Sequence, residues 1–179
     1  NKKLTQQTNI YVILWATTLF MLPWFGIGLF AEGIPDITTR FWQIIWINIT
    51  LFTLSSLLLI KAMKLSPLSL TLPFLSFSPA FMILTSWLIL GQLPNVWGIA
   101  GIILIVAGSY VLYSSELAKG LLAPFRAIIQ ERGSLYALIV AFIWSITSNL
   151  DKIAIDNSST FSYLLIINAG VVVLLTIYL

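Results

Sequence analysis

The chain has 179 residues, 59% of them hydrophobic and only 8% charged, with a mean hydropathy of +1.01 and a formal charge of +3. An ordinary soluble domain is about 25% charged, so this composition excludes a water-soluble globule and places the chain in the polytopic membrane class. Cysteine and histidine are both absent; that excludes disulfides, thiol nucleophiles, thiolate zinc sites, histidine-bound haem and imidazole acid–base chemistry, and the small, scattered positive charge is no footprint for nucleic acid.

Residues 1–9 are polar, carry Lys2 and Lys3, and read as a loop. The first residue is not methionine, no signal peptide is visible, and no polar residue follows the last apolar run, so a longer protein is expected. Residues 10–31 form an uncharged run of 22, the first span, in which Pro23 is expected to kink the helix by removing one hydrogen bond. Glu32-Gly33-Ile34-Pro35-Asp36 is a loop by its glycine and proline. Residues 41–60 form the second span, with Trp42 and Trp46 as interfacial anchors. Asn48, Thr50, Thr53, Ser55 and Ser56 give it an unusual polar load, and Lys61 and Lys64 close it.

Residues 65–115 are 51 positions without one charged side chain. Each half exceeds the roughly 20 residues that cross a bilayer. In lipid every backbone amide must be satisfied within its own segment, so both halves are expected to be helices. They form a membrane hairpin of spans at 66–90 and 96–113, broken at Gly91-Gln92-Leu93-Pro94-Asn95. Pro67, Pro73 and Pro79 recur every six residues, which predicts that the first half of the earlier span is bent or unwound.

Residues 116–133 mix Glu116, Lys119, Arg126, Glu131 and Arg132 with Leu121, Leu122, Phe125, Ile128 and Ile129. That pattern suits an amphipathic helix on the membrane surface, interrupted at Pro124. Spans at 134–155 and 161–179 complete the chain, giving an all-α integral membrane bundle of six transmembrane helices with no room for a soluble domain. Lys2, Lys3, Lys61, Lys64, Lys119, Arg126 and Arg132 fall on one side, and Arg40 and Lys152 on the other. The charge bias alone puts the Lys61 side in the cytoplasm. Thr8-Asn9-Ile10-Tyr11 before the first span is echoed by Thr160-Phe161-Ser162-Tyr163 before the last. If these stretches are equivalent, the repeat is five spans long and its second copy is inverted; coincidence is the competing reading.

Several motifs then occur in order. They are Ala62-Met63-Lys64-Leu65-Ser66-Pro67-Leu68-Ser69, Ser78-Pro79-Ala80-Phe81, Leu90-Gly91-Gln92, the glycine-spaced segment from Gly98 to Tyr110, and Ala141-Phe142-Ile143-Trp144-Ser145. From Lys61 to Leu150 the chain resembles the EamA-like branch of the drug/metabolite transporter superfamily. The resemblance implies ten helices in two inverted repeats of five. Residues 1–115 would then be the end of the first repeat, 116–133 the linker, and 134–179 the start of the second, together covering about helices 2–7. Gln92 stands where the family usually has Glu, which removes that acid from any proton coupling here. The family's topology puts the Lys61 turn outside, opposite to the charge bias, so orientation stays open.

The substrate-cavity candidates are Asn48, Ser55, Ser69, Thr71, Ser76, Ser78, Trp144, Ser148 and Asn149, polar or amphipathic residues within apolar spans. Their structural alternative is hydroxyls bonded back to their own helix and amides acting as interhelical glue, a role equally open to Asn168 in the last span. Asp151 and Lys152 are coupling or gating candidates, because ionisable groups at membrane depth are functional by default. Against this, Lys152 can snorkel to the interface or pair with Asp156. Gly98, Gly101 and Gly108 share a helix face and read as packing residues. No metal, cofactor or catalytic residue is expected, and no HExxH, GxSxG or Walker A sequence occurs.

The favoured reading is a secondary transporter of a small metabolite or organic solute, in a bacterial inner membrane. The expected partners are lipid, that solute and the remaining helices of the full-length protein, with a homodimer as a further option and nucleic acid excluded. The alternative is a non-transporting scaffold or assembly subunit. A membrane enzyme has little to support it.

Overall fold

A computed structural model describes residues 10–66, 71, 74–112 and 132–178. Among them are six helices of 13 or more residues and no strand: α1 (Ile10–Glu32), α2 (Thr39–Leu65), α3 (Ser78–Leu90), α4 (Val96–Leu112), α5 (Arg132–Asp156) and α6 (Thr160–Tyr178). Four stretches are long and apolar enough to cross a membrane, Val12–Glu32, Thr39–Leu65, Arg132–Asp156 and Thr160–Ile177, and α3 and α4 are shorter apolar helices. The protein is a multi-pass, all-helical integral membrane protein.

Helix bounds differ from the sequence expectation where side-chain chemistry extends or interrupts a span. Lys61 and Lys64 sit inside α2, which runs to Leu65. Cations favour the negative end of a helix dipole, and their long stems reach water from within the last turns. Arg132 and Gly133 likewise belong to α5 rather than to a linker; the remainder of the expected amphipathic linker, including Pro124, lies outside the described residues. Helix α1 continues through Pro23.

Within the span expected at 66–90, Thr71, Phe74 and Leu75 are helical and a turn follows at Ser76 and Phe77. Helix α3 begins at Ser78, after that turn. Its 13 residues rise about 20 Å, short of the roughly 30 Å hydrocarbon core. Pro79 therefore does not bend a continuous helix. It occupies the first turn of a new one, where its missing N–H has no partner to lose. Pro67 and Pro73 lie outside the described residues. At the other end Gly91 turns left-handed (φ 65°), and its amide donates to the Trp87 carbonyl at 3.1 Å. That closes α3 and starts the hairpin into α4.

Two compact units emerge. The first comprises residues 1–54 and 150–179, of which the described part is α1, the first half of α2, the end of α5 and α6. Its core packs Phe41, Ile44, Ile45 and Ile49 of α2 against Ala154 of α5 and Tyr163 and Ile167 of α6. Helices α1 and α6 are antiparallel: Trp15 Nε1 donates to Thr176 Oγ1 at 2.8 Å near one end, and Gly28 lies against the Phe161 ring at the other. The Thr38 hydroxyl donates to Asn157 Oδ1 at 3.0 Å, tying the turn before α2 to the turn after α5. Gly170 of α6 lies flush against Ile49, where a side chain would collide.

The second unit comprises residues 55–149. It holds the end of α2, α3, α4 and most of α5, with a core of Ala62, Phe74 and Ala137. Gly133 is pressed onto the end of α2, so that an added Cβ would lie 2.5 Å from Ser66 Oγ and 2.7 Å from the Ala62 carbonyl. The Lys61 ammonium lies 4.8 Å over the Tyr136 ring. Across both units large apolar side chains face outward, among them Phe20, Trp24, Phe30, Trp97, Ile103 and Leu104. This is the surface expected where the solvent is lipid.

Candidate functional site

Each unit contains one polar cluster, and they differ in kind. In the first unit the cluster forms around Asp151, near the C-terminal end of α5. Asn48 is fully buried on α2, nine residues and about 14 Å into the helix. Its Nδ2 donates to Asp151 Oδ1 at 2.5 Å and to the Tyr163 hydroxyl oxygen at 3.1 Å. Tyr163 of α6, itself buried, donates its phenolic hydrogen to the same carboxylate oxygen. One oxygen thus receives two neutral donors from two other helices.

Sequence explains the convergence locally. Ile44, Ile45 and Ile49 flank Asn48 and direct that face of α2 inward, and Ala154 and Ile167 bring α5 and α6 against it. The cluster is also incomplete. Asn48 Oδ1 and, one helical turn on, Thr53 Oγ1 are buried with no hydrogen-bond partner. An unpaired buried acceptor costs about 1–3 kcal/mol, more than a well-packed apolar side chain in its place.

In the second unit α3 and α5 are joined by a ladder of hydrogen bonds whose acceptors step along α5 every four residues. Ser78 Oγ donates to the Ala141 carbonyl at 3.1 Å, and Thr85 Oγ1 to the Ser145 carbonyl at 3.1 Å. Ser86 Oγ donates to Asn149 Oδ1 at 2.8 Å. Asn149 Nδ2 donates to Thr85 Oγ1 at 3.0 Å and to the Ser145 carbonyl at 2.7 Å. Every polar atom of the Asn149 side chain is engaged. The ladder is edged by the perpendicular rings of Phe81 and Phe142, 5.5 Å apart. Such bonds hold helices together in lipid.

The other sequence candidates fall as follows. Ser55 is buried and accepts from Trp144 Nε1 at 3.2 Å. Thr71 is buried, Ser76 is half-buried in the turn before α3, and Ser148 is half-buried on α5. Lys152 is exposed, and Ser69 lies outside the described residues. Asn168 donates back to the Leu164 carbonyl of its own helix at 2.7 Å. Gly98 receives the Asn95 side chain at its amide, 2.8 Å away, as part of the start of α4. Nothing among the described residues lies within 4 Å of a Cβ added at Gly101 or Gly108. Among the described residues, glycines in close contact with another helix or its end are Gly28, Gly133 and Gly170.

The structure thus brings Asn48 to Asp151, Ser78 and Asn149 into one ladder, and Ser55 to Trp144. Sequence reasoning missed Tyr163, Thr85 and Ser86. The signal for all three was a polar group inside an apolar run, weaker for a hydroxyl than for an amide.

Comparison with protein-family models matches residues 1–114 to the EamA-like transporter family. The chain belongs to the EamA-like transporter family. The matched region holds α1 to α4, and with them Asn48, Ser78, Thr85 and the glycines of α4. Asn149, Asp151 and Tyr163 lie beyond it. EamA-like proteins are membrane transporters of the drug/metabolite type rather than enzymes, and helical spans of this length and apolarity accord with membership. Comparisons with curated proteins and with solved structures return no match.

Proposed function

We propose that this EamA-like protein is a secondary transporter that moves a small metabolite or organic solute across a bacterial cell membrane by alternating access. The observation that carries the reading is the Asp151 cluster. A carboxylate and an amide held between three helices, with an acceptor left unpaired, is poor glue and a good switch. Ionisable groups inside spans are rare and serve solute or ion pathways. Within the second unit, Ser55 with Trp144, and the buried Thr71, are the groups we assign to solute contact. The ladder of Ser78 and Asn149 is assigned to holding α3 on α5.

The scaffold reading has one observation in its favour, the open face at Gly101 and Gly108 that a further helix can approach. Uptake and efflux of a pooled metabolite set, in vesicles of both orientations containing the full-length protein, separates the two. A solute whose flux requires the protein and falls at least tenfold in Asn48→Ala supports transport. A folded protein that moves nothing across a broad panel supports the scaffold.

A further inference from the structure

We infer that Asp151 is a proton-binding site whose protonation rearranges the contact between α5 and helices α2 and α6, coupling a proton to the transport proposed above. The inference rests on that transport reading for its purpose but not for its chemistry. As the cluster stands, Asp151 Oδ1 accepts from both Asn48 and Tyr163, while Asn48 Oδ1 is buried and accepts from nothing. The three side chains are packed tightly, with Asn48 fully and Tyr163 almost fully buried.

The rearrangement follows from hydrogen-bond capacity. An ionised carboxylate only accepts, so it suits the two donors that now face it. A proton from water that binds the carboxylate forms one O–H bond and turns that oxygen into a donor. The Asn48 N–H can then no longer be satisfied there, whereas the unpaired Asn48 Oδ1, on turning over the amide, accepts the new O–H. Tyr163 moves its hydrogen bond to the other carboxyl oxygen, which stays a carbonyl acceptor, and the seating of α6 on α5 changes with it. Protonated and ionised forms therefore favour different arrangements of the same three helices, and a bistable element of this kind is what a coupling ion must bias.

The charged and titratable surroundings are few. On α2 the facing group is the neutral Asn48, and the sole ionisable residue in that half of the helix is Arg40, two turns earlier. On α6 it is Tyr163. On α5 itself Lys152 and Asp156 are both exposed, and at the end of α1 Glu32 Oε2 accepts from the Phe161 amide at 3.4 Å. The two side chains seen to donate to Asp151, Asn48 and Tyr163, are both neutral.

Infrared difference spectroscopy of the full-length protein in lipid, recorded as the pH is lowered with dilute acid, reads the proton directly. The expected result is a carboxylic C=O band that is lost in Asp151→Asn and moves to higher frequency in Tyr163→Phe, which keeps the ring but removes a hydrogen-bonding partner. A band set identical in the wild type and Asp151→Asn would overturn the inference. Should Asp151→Asn fail to fold, the Tyr163→Phe spectrum decides, and an unshifted band there overturns the inference equally. Vesicles loaded with a pH-sensitive dye and given the pooled metabolites test transport separately. Absence of any solute flux beside an intact Asp151 band would sink the transporter reading and leave proton binding standing.

Discussion

Asn149 illustrates how a residue that looks like a ligand can be fully occupied by the fold. Both of its amide hydrogens and its oxygen are used, on Thr85, Ser86 and the Ser145 carbonyl. Replacing it with alanine removes three bonds and leaves the Ser86 hydroxyl to find an acceptor on its own helix, while Thr85 keeps its bond to the Ser145 carbonyl. Interhelical bonds in lipid contribute about 0.6 kcal/mol on average and up to about 1.7, so Asn149→Ala is expected to destabilise the protein by about 1–2 kcal/mol. Ser148→Ala, one position away and outside the ladder, is expected to stay within about 0.5 kcal/mol. Unfolding in mixed micelles followed by tryptophan fluorescence measures both. The sequence marks Asn149 as a buried amide in need of partners but cannot say which. Thr85 and Ser86 sit in an apolar run more than sixty residues away, and only the packing of α3 on α5 makes them its partners.

At the scale of elements, glycine spacing and glycine contact are separate signals. Three glycines on one face of α4 suggest a close helix interface, yet a methyl group added at Gly101 or Gly108 meets open space. The tight approach is at Gly133, which carries no periodic signal, because the obstruction is the Ala62 backbone carbonyl of another helix. A backbone atom cannot swing aside as a side chain does. Gly133→Ala is therefore expected to destabilise by about 1–3 kcal/mol through overpacking, whereas Gly101→Ala is tolerated. Thermal unfolding of the two variants side by side is the check. The break between α3 and α4 was legible in the sequence because Gly91 is needed for its left-handed backbone (φ 65°). Gly91→Ala is expected to cost about 1–2 kcal/mol there. The same reading expects the first half of the span at 66–90 to be bent or unwound, and a turn at Ser76 and Phe77 lies there. Proline spacing announces disruption, but whether a proline bends a helix or begins one depends on the turn before it, here Ser76 and Phe77.

For the whole molecule, the membrane class and the all-helical architecture follow from composition and run length, since lipid admits little else. What composition does not encode is the division of polar labour between two compact units. In one, Asn48, Asp151 and Tyr163 form a cluster with an orphaned acceptor. In the other, Ser78, Thr85, Ser86 and Asn149 form a satisfied ladder. These make opposite predictions when stability and flux are measured on the same variants. The satisfied ladder contributes to stability, so Asn149→Ala is expected to lower the unfolding midpoint while any protein that remains folded still transports. The incomplete cluster contributes little net stability, because removing Asn48 also removes its unpaired Oδ1. Asn48→Ala and Asn48→Leu are accordingly expected to unfold within about 1 kcal/mol of the wild type yet lose at least tenfold in solute flux. If instead flux falls only in proportion to the folded fraction in both sets, the two clusters differ in geometry but not in role, and the case for a switch at Asp151 fails with them.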